Sequence, residues 1–287
     1  MYSPSFAYHR ASSVADALKL VAANPGARVL AGGHSLLPLL KLRLAAPSAL
    51  IDIGRIGELK GISAAAGGVR IGALTTHAEI AAADLVRRQC AVLAEAAGQI
   101  GDPAVRNRGT IGGSVAHADP AADLPTVLVA LGATIDVAGP GGTRTIAAVD
   151  FFQGMMATAL ADGELVTAVT VPALAKGTGA AYVKFAHPAS RYAVVGAAAV
   201  VGVQGGKCSA ASVAVGGLVP VPTRLAAVEA ALTGTALDAA AIDAAAARTA
   251  GALGGDVLGD LFASADYRTA VAGTYVARAV AAAAARV

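Results

Sequence analysis

Two segments with consecutive glycines constrain the fold of this 287-residue chain more than any other feature. The first glycine segment, residues 31–35 (AGGHS), follows a short strand pattern at Arg28–Leu30 and precedes a helix-like stretch at 36–44. Consecutive glycines let the backbone approach a ligand closely, and a helix N-terminus offers unpaired N–H groups and the positive end of its dipole. The second glycine segment, residues 110–114 (TIGGS), repeats the pattern.

Each double glycine taken singly is more simply a tight turn. Two such segments that converge on one ligand match a diphosphate, because a diphosphate carries charge on two adjacent groups. The chain has neither G-x-G-x-x-G after a strand nor G-x-x-x-x-G-K-[ST]. The pattern therefore disfavours a Rossmann or P-loop nucleotide site.

Composition narrows the class of protein further. The longest strongly apolar run, 193–203, is shorter than the roughly 20 residues of a membrane-spanning helix, although 56% of all residues are hydrophobic. The N-terminus has no basic region followed by an apolar run, which predicts a cytoplasmic protein without a secretory signal. Dispersed basic residues, a net charge of +3 and the lack of tryptophan argue against nucleic acid as a partner.

The two cysteines, Cys90 and Cys208, stand alone without a Cys-x-x-Cys or Cys/His spacing. The spacing predicts two small buried thiols, and neither a zinc site nor an iron–sulfur ligand set on this chain. Any iron–sulfur cluster or other metal centre is therefore expected on other polypeptides.

The apolar periodicity predicts an α+β chain with two domains and a linker at 176–179. Ser13 is expected to cap the first helix, and Thr76-x-x-Glu79 has the form of a capping box. Before the linker, hairpins are expected about Gly67-Gly68 and 139–142, with further elements at 50–53, 91–97, 124–131 and 165–171. The region 101–118 is rich in turn residues. After the linker, strands at 193–203 and 208–215 precede alanine-rich helices at 224–232, 239–250 and 266–286.

Together with the residues that follow them, the two glycine segments resemble a known protein family. The runs AGGHSLLP (31–38), KLR (41–43) and TIGGSVAHADP (110–120) resemble the FAD-binding medium subunits of molybdenum hydroxylases, the xanthine dehydrogenase and aerobic carbon monoxide dehydrogenase medium-subunit family. Shorter matches include IDI (51–53), IGA (71–73), GEL (163–165) and PASRYA (188–193), so the resemblance runs the whole length of the chain.

The resemblance implies a fold. Residues 1–175 would form an FAD-binding domain of two α+β subdomains, like that of vanillyl-alcohol oxidase and PCMH-type flavoproteins, divided near 55–60. Residues 180–287 would form a smaller domain, like the C-terminal domain of the carbon monoxide dehydrogenase flavoprotein, with a three-stranded antiparallel sheet and helices.

The resemblance also implies the FAD contacts. Backbone N–H groups of both glycine segments would bind the diphosphate, helped by hydroxyl groups, while later residues would lie around the flavin and adenine ends. Ser114 stands where the family usually has asparagine, and His34 where many relatives have glutamine. The implied cofactor-binding set is Ala31, Gly32, Gly33, His34, Ser35, Leu36, Thr110, Gly112, Gly113, Ser114, His117, Asp123, Val166, Lys184 and Tyr192.

Some members of this set have simpler explanations. Asp123 is either an FAD contact or an N-cap for the helix at 124–131, and the two roles are compatible. Tyr192 either shields one face of the flavin ring or packs as an ordinary tyrosine. His77, outside the set, is expected at the surface or as a capping residue.

In function, the resemblance implies an FAD-carrying electron-transfer subunit of a heteromeric oxidoreductase. A large subunit would hold the molybdenum cofactor, and a small subunit with two [2Fe-2S] clusters would pass electrons to this chain's FAD and on to a quinone, oxygen or NAD. No catalytic residue beyond the flavin is expected here, because the cofactor carries the redox chemistry. The implied assembly is a dimer of heterotrimers, a heterohexamer. Peripheral membrane association through an electron acceptor is compatible with this arrangement.

Other functions stay open at this stage. The chain could be a self-contained flavoprotein oxidase or reductase of the same fold, or an assembly module whose flavin segments are vestigial. Within the family, the sequence of residues 31–35 suggests carbon monoxide as the first substrate, while xanthine-type purines, aldehydes and N-heterocycles remain alternatives.

Overall fold

The computed structural model describes residues 2–287, and its first subdomain is a three-stranded parallel sheet with two helices. The strands lie in the order β1-β3-β2. Ser13 caps the first helix as predicted, since its hydroxyl accepts a hydrogen bond from the Asp16 N–H. The elements are β1 (Ala7–Arg10), α1 (Val14–Ala23), β2 (Arg28–Leu30), α2 (Leu36–Lys41) and β3 (Ala49–Asp52).

The helix α2 is shorter than the predicted stretch of 36–44. It ends at Lys41, and Arg43 has a φ of 58°, in the left-handed region that a helix cannot continue through. A helix of six residues has a small dipole, so any anion bound before it depends on individual N–H groups.

The second subdomain is built on a five-stranded antiparallel sheet in the order β4-β5-β10-β6-β7. Both predicted hairpins are present in this sheet. Its strands are β4 (Ile62–Ala65), β5 (Gly68–Gly72), β6 (Thr134–Gly139), β7 (Gly142–Ala147) and β10 (Leu165–Pro172). A small pair, β8 (Phe152–Gly154) and β9 (Ala157–Thr158), lies beside it, and a 3-10 turn at Gly57–Leu59 leads into the sheet.

Seven helices belong to this subdomain, and several of them cover one face of the five-stranded sheet. The capping box at Thr76 and Glu79 is formed as predicted. The helices are α3 (His77–Ala82), α4 (Asp84–Gln89), α5 (Ala91–Gln99), α6 (Pro103–Arg106), α7 (Ile111–His117), α8 (Asp123–Leu131) and α9 (Ala148–Phe151).

The second glycine segment differs from its sequence-based prediction. The region 101–118, expected as turns, contains the helices α6 and α7, and Gly112 and Gly113 lie in the first turn of α7 rather than ahead of a helix. The physical reason is packing: a Cβ on Gly112 would lie 2.5 Å from the Ala73 Cβ, so only glycine lets the helix start against the end of β5.

The C-terminal domain is a four-stranded antiparallel sheet in the order β11-β12-β13-β14. Three long strands match the expected three-stranded sheet, and two residues, Thr223–Arg224, add a short fourth. The predicted helix at 239–250 is divided into two. The elements are β11 (Thr178–Ala186), β12 (Ala193–Gln204), β13 (Lys207–Gly216), β14 (Thr223–Arg224), α10 (Ala226–Leu232), α11 (Ala239–Ala246), α12 (Thr249–Ala252) and α13 (Ala265–Ala284).

Helix α8 joins the two domains through a shared core. All nine of its residues are buried, and all but Asp123 and Thr126 are apolar, as expected for a helix enclosed in a core. Along β12, Ala198 belongs to the core cluster that contains α8, whereas Ala197 and Ala199 belong to the cluster beneath the C-terminal helices. The C-terminal sheet is therefore covered on both faces, by α8 on one side and α13 on the other.

A helix that crosses a bilayer needs about 20 consecutive, mostly apolar residues. Among residues 2–287, no helix is long and apolar enough to span a membrane. The 20-residue helix α13 owes its length to packing on the C-terminal sheet, where Ala272, Val276 and Ala279 are buried.

Candidate functional site

A cavity of about 870 Å³ lies where the two subdomains and the C-terminal domain meet. Its volume falls within the range of roughly 300–1,000 Å³ that is common for small-molecule and cofactor sites. The first subdomain contributes residues 31–36, the second contributes the start of α7 and residues 160–166, and the C-terminal domain contributes residues 190–192.

The first glycine segment presents unpaired donors to this cavity. Gly33 has a φ of 79°, and its carbonyl accepts a hydrogen bond from Leu37. The backbone N–H groups of residues 32–36, called here the amide nest, find no acceptor among the residues that the structure describes. Consecutive N–H groups left unpaired around a left-handed residue form a concavity that binds anions.

At Gly32 the first glycine segment lies directly against Arg108 and Gly109, the two residues that precede the second segment. A Cβ on Gly32 would lie 2.1 Å from the carbonyl oxygen of Arg108 and 3.1 Å from the Cα of Gly109. Only glycine permits this approach. The structure thus brings the two segments to one wall of one cavity, although they are separated by about 75 positions along the chain, as their residue numbers show.

The second glycine segment contributes differently from what its sequence predicts. The N–H groups of Gly112, Gly113 and Ser114 already bind the Ala73 carbonyl (2.9 Å), the Thr110 hydroxyl (3.1 Å) and the Thr110 carbonyl (3.0 Å). Each of these N–H groups thus already has an acceptor within the protein, and their predicted contact with the diphosphate stays a prediction. The side chains of Ser114 and His117, which line the cavity without a protein partner among the described residues, remain available instead.

Most of the predicted cofactor-binding residues lie at this cavity. They come from the loop after β2, the start of α2, α7 and its N-cap, α8, β10 and the loop after β11, so only the folded chain brings them together. The members that line it are Ala31, Gly32, Gly33, His34, Ser35, Leu36, Thr110, Gly112, Gly113, Ser114, His117, Asp123, Val166 and Tyr192.

Lys184 is the one predicted residue that the structure does not bring to the cavity wall. Its side chain is 3% exposed, and its ammonium donates to the Asp123 carboxylate at 3.0 Å. The same ammonium donates to the backbone carbonyls of Arg191 at 2.8 Å and Gln99 at 3.2 Å. An ammonium has three N–H donors, so all of them are used within the protein.

Asp123 also differs from its prediction as an N-cap. Ala122 occupies the N-cap position of α8 without a side-chain bond, and Asp123 is the first helical residue. The Asp123 carboxylate accepts a hydrogen bond from the Tyr182 hydroxyl at 2.6 Å as well as from Lys184. Burial raises the pKa of this carboxyl, while the Lys184 ammonium and the Tyr182 hydroxyl oppose that shift.

A bidentate ion pair fixes the loop that precedes β10 at the cavity. Glu164 accepts two hydrogen bonds from Arg144, at 2.8 and 2.7 Å, and a third from the Ala161 N–H at 2.7 Å. These bonds lower the pKa of Glu164 to about 2, with the Arg144 bond as the largest cause. Glu164 is therefore ionised at neutral pH, and its ion pair with Arg144 holds the loop that leads to Val166 in place.

His77 is a cavity-lining residue that the sequence did not indicate. It is 5% exposed, and its ring lies against Gly109, where a Cβ would be 2.8 Å from Cδ2. The expectation of a surface or capping residue is wrong, because Thr76 caps the helix and the burial of His77 depends on a glycine 32 positions away. No local sequence signal could have identified it.

The stability of the protein is expected to fall as the pH drops from 6.5 to about 4, because of His77. Burial, with a smaller contribution from His34, lowers the pKa of His77 to about 4, so below 6.5 the unfolded chain binds a proton that the folded chain does not. The loss should reach about 3 kcal/mol. Urea unfolding of wild type and His77→Gln across this range checks it. A pH-dependent loss of equal size in both proteins would contradict it.

Comparison with known proteins places this geometry in a family. Residues 4–174 match the model of the FAD binding domain in molybdopterin dehydrogenase, and residues 180–283 match that of the CO dehydrogenase flavoprotein C-terminal domain. The chain is 41% identical to the carbon monoxide dehydrogenase medium chain of Hydrogenophaga pseudoflava, over 100% of this chain and 99% of that one. It is 42% identical to the glyceraldehyde dehydrogenase medium chain of Sulfolobus acidocaldarius, over 80% and 81%.

A solved structure agrees over the whole length. Carbon monoxide dehydrogenase from Hydrogenophaga pseudoflava, in a form that lacks the Mo-pyranopterin moiety, contains a chain that superposes with a TM-score of 0.96 at 43% identity, covering 100% of this chain and 99% of that one. The fold and the cavity therefore define an FAD-binding oxidoreductase subunit. The chain belongs to the family of FAD-binding subunits of molybdenum hydroxylases, to which carbon monoxide dehydrogenase medium chains and xanthine dehydrogenase FAD-binding subunits also belong.

Proposed function

We propose that this chain holds FAD in the 870 Å³ cavity with the diphosphate on the amide nest, residues 32–36, and serves as the electron-transfer subunit of its complex. The observation that carries the proposal is the set of consecutive unpaired N–H groups in a cavity wall. A diphosphate supplies the acceptors that these donors lack, and charge-assisted hydrogen bonds of this kind are stronger than neutral ones.

The side chains around the nest complete the proposed diphosphate site. The Ser35 and Ser114 hydroxyls, which have no partner among the described residues, donate to phosphate oxygens, and the Thr110 hydroxyl can donate while its oxygen caps α7. Arg28 and Arg191 line the same cavity and add positive charge, while His34 and His117 provide further donors.

Another part of the cavity wall suits the flavin ring. Val166 supplies a buried apolar surface, and Tyr192 supplies an aromatic face that is 43% exposed. Burial and the carboxylates of Asp119 and Asp123 raise the pKa of Tyr192, so its hydroxyl stays neutral at physiological pH. Tyr192 can therefore shield the ring without placing a charge beside it.

The bound FAD would take electrons from the [2Fe-2S] clusters of a small subunit and deliver them to a quinone, oxygen or NAD, whereas substrate oxidation takes place at the molybdenum cofactor of a large subunit. We propose a cytoplasmic dimer of such heterotrimers, with residues 1–175 as the FAD domain and 180–287 as the C-terminal domain. Two medium chains that are similar to this one are named for carbon monoxide and glyceraldehyde, so carbon monoxide is the first substrate to assay and aldehydes the second.

Purification and a visible spectrum test the proposed function. The chain should retain close to one FAD per polypeptide, with the absorption bands of bound flavin. Co-expression with a large and a small subunit of a molybdenum hydroxylase should yield a complex that reduces an electron acceptor, and omission of this chain should abolish that reduction. Turnover of an organic donor by the isolated chain would instead identify a self-contained flavoenzyme. A folded chain that binds no FAD would overturn the proposal.

A further inference from the structure

His77 is a buried side chain whose ring has no hydrogen-bond partner within the protein. The residue is 5% exposed, and its ring lines the cavity. Its Nδ1 is enclosed without a partner among the described residues, whereas Nε2, which has no protein partner there either, stays open to the cavity. Buried polar side chains are nearly always hydrogen-bonded, so an unpaired one in a cavity wall is a candidate for contact with a ligand.

The backbone holds His77 beside the second glycine segment. The His77 N–H donates to the Gly109 carbonyl at 3.0 Å, and the Ile111 N–H donates to the Thr75 carbonyl at 3.1 Å. These two bonds enclose an isolated antiparallel bridge centred on Thr76. The imidazole is therefore carried by a fixed part of the backbone.

The ring also lies next to the amide nest. A Cβ on Gly109 would lie 2.8 Å from Cδ2 and 2.9 Å from Nε2 of His77, so only glycine leaves room for the ring. Gly109 itself lies against Gly32, the first residue of the nest, since a Cβ on Gly32 would be 3.1 Å from the Gly109 Cα. One residue without a side chain therefore separates the imidazole from the backbone groups that are proposed to hold the diphosphate.

Burial determines the protonation state of this ring. Burial, with a smaller contribution from His34 of the nest, lowers the pKa of His77 to about 4, so the ring of the cofactor-free chain is neutral at physiological pH. A neutral imidazole has one N–H donor and one acceptor nitrogen. Buried N–H groups without an acceptor are rarer in proteins than acceptors without a donor, which favours the proton on Nε2, at the cavity, over the enclosed Nδ1.

We propose that His77 is a further FAD-binding residue, which donates its Nε2–H to an oxygen of the diphosphate. This inference rests on the proposed function and adds to it a residue that neither glycine segment contains. A hydrogen bond to an ionised acceptor is stronger than a neutral one. The enclosed Nδ1 gains nothing from the protein, so the ring contributes more to cofactor binding than to the stability of the empty chain.

The test uses the full chain with three substitutions. His77→Leu removes the donor and keeps an apolar side chain of similar size, whereas His77→Gln keeps an N–H donor. Thr76 still caps α3 in both variants, because it lies outside the change. His9→Leu is the matched control, since His9 lies on β1 and does not line the cavity. Calorimetric titration of the FAD-free chain gives the affinities for FAD and for ADP, and phosphorus NMR follows the two phosphates of bound FAD.

His77→Leu should bind FAD and ADP about tenfold or more weakly than wild type, by the same factor, because ADP contains the same diphosphate. The phosphorus resonances of bound FAD should move in this variant. His77→Gln should bind more tightly than His77→Leu, and His9→Leu should bind as wild type does. Without FAD, His77→Leu should unfold at the same urea concentration as wild type or at a higher one, because it removes a buried polar atom that has no partner.

Several results would overturn the inference while the proposed function stands. They are equal FAD affinity of His77→Leu and wild type, a loss of FAD affinity without a loss of ADP affinity, unmoved phosphorus resonances, and a cofactor-free His77→Leu chain that unfolds at a lower urea concentration, as a merely structural side chain would produce. Nitrogen NMR that places the proton of the cofactor-free ring on Nδ1 would overturn it as well. A folded wild-type chain that binds neither FAD nor ADP would overturn the proposed function and this inference together.

Discussion

The variant Gly32→Ala should bind FAD roughly 10- to 100-fold more weakly than wild type, the equivalent of the 1–3 kcal/mol that overpacking of a close contact usually costs. The added Cβ would lie 2.1 Å from the Arg108 carbonyl oxygen, and backbone cannot move aside as a flexible side chain can. The first glycine segment would move away from residues 108–109, and the amide nest would lose its alignment. Titration of the FAD-free protein with FAD, followed by flavin fluorescence, measures the change.

Gly57→Ala is the matched control for this prediction. Gly57 belongs to the same domain, and a Cβ there would meet nothing within 4 Å. Its FAD affinity should equal that of wild type. If Gly32→Ala binds FAD as tightly as Gly57→Ala does, the close contact of Gly32 with residues 108–109 has no part in cofactor binding.

Substitution of Leu128 by alanine should lower the free energy of unfolding by about 2–5 kcal/mol, the usual cost of a cavity at a fully buried leucine. Leu128 is 0% exposed on α8, in the core cluster that includes Ala198 and Ala214 of the C-terminal sheet. Since one core spans both domains, the variant should still unfold in a single transition, but at a lower denaturant concentration. Denaturant unfolding followed by far-UV circular dichroism and by flavin release should give coincident curves.

Leu261→Ala provides the comparison, because Leu261 is fully exposed and should change stability by less than about 0.5 kcal/mol. Two separated transitions in the Leu128 variant, with only the FAD domain destabilised, would show that the domains do not share a cooperative core.

Local patterns predicted most of the secondary structure correctly. The cap at Ser13, the capping box at Thr76 and both hairpins of the five-stranded sheet are encoded by neighbouring residues, and each forms as expected. The incorrect predictions concern segments whose secondary structure depends on contacts with residues far away in the sequence. The start of α7 is helical because Gly112 packs against Ala73, a contact that no window of sequence around position 112 reveals.

The prediction of the candidate site is limited in the same way, because sequence patterns do not show contacts between distant residues. The cofactor-binding residues that the glycine motifs and the family resemblance indicated line the cavity, with the exception of Lys184, but these signals missed His77 and could not assign roles to backbone groups. Whether the N–H of Gly113 is free depends on the Thr110 hydroxyl, which accepts from it, and whether that of Gly33 is free depends on the absence of such an acceptor. The burial of His77 depends likewise on Gly109.

A crystal structure of the chain with bound FAD tests most directly whether the first glycine segment holds the diphosphate. We expect diphosphate oxygens at hydrogen-bonding distance, about 2.7–3.2 Å, from backbone nitrogens of residues 32–36, with the Gly112 and Gly113 amides still bound to Ala73 and Thr110. A diphosphate bound by the amides of residues 112–114, or one that leaves residues 32–36 without contacts, would contradict this assignment.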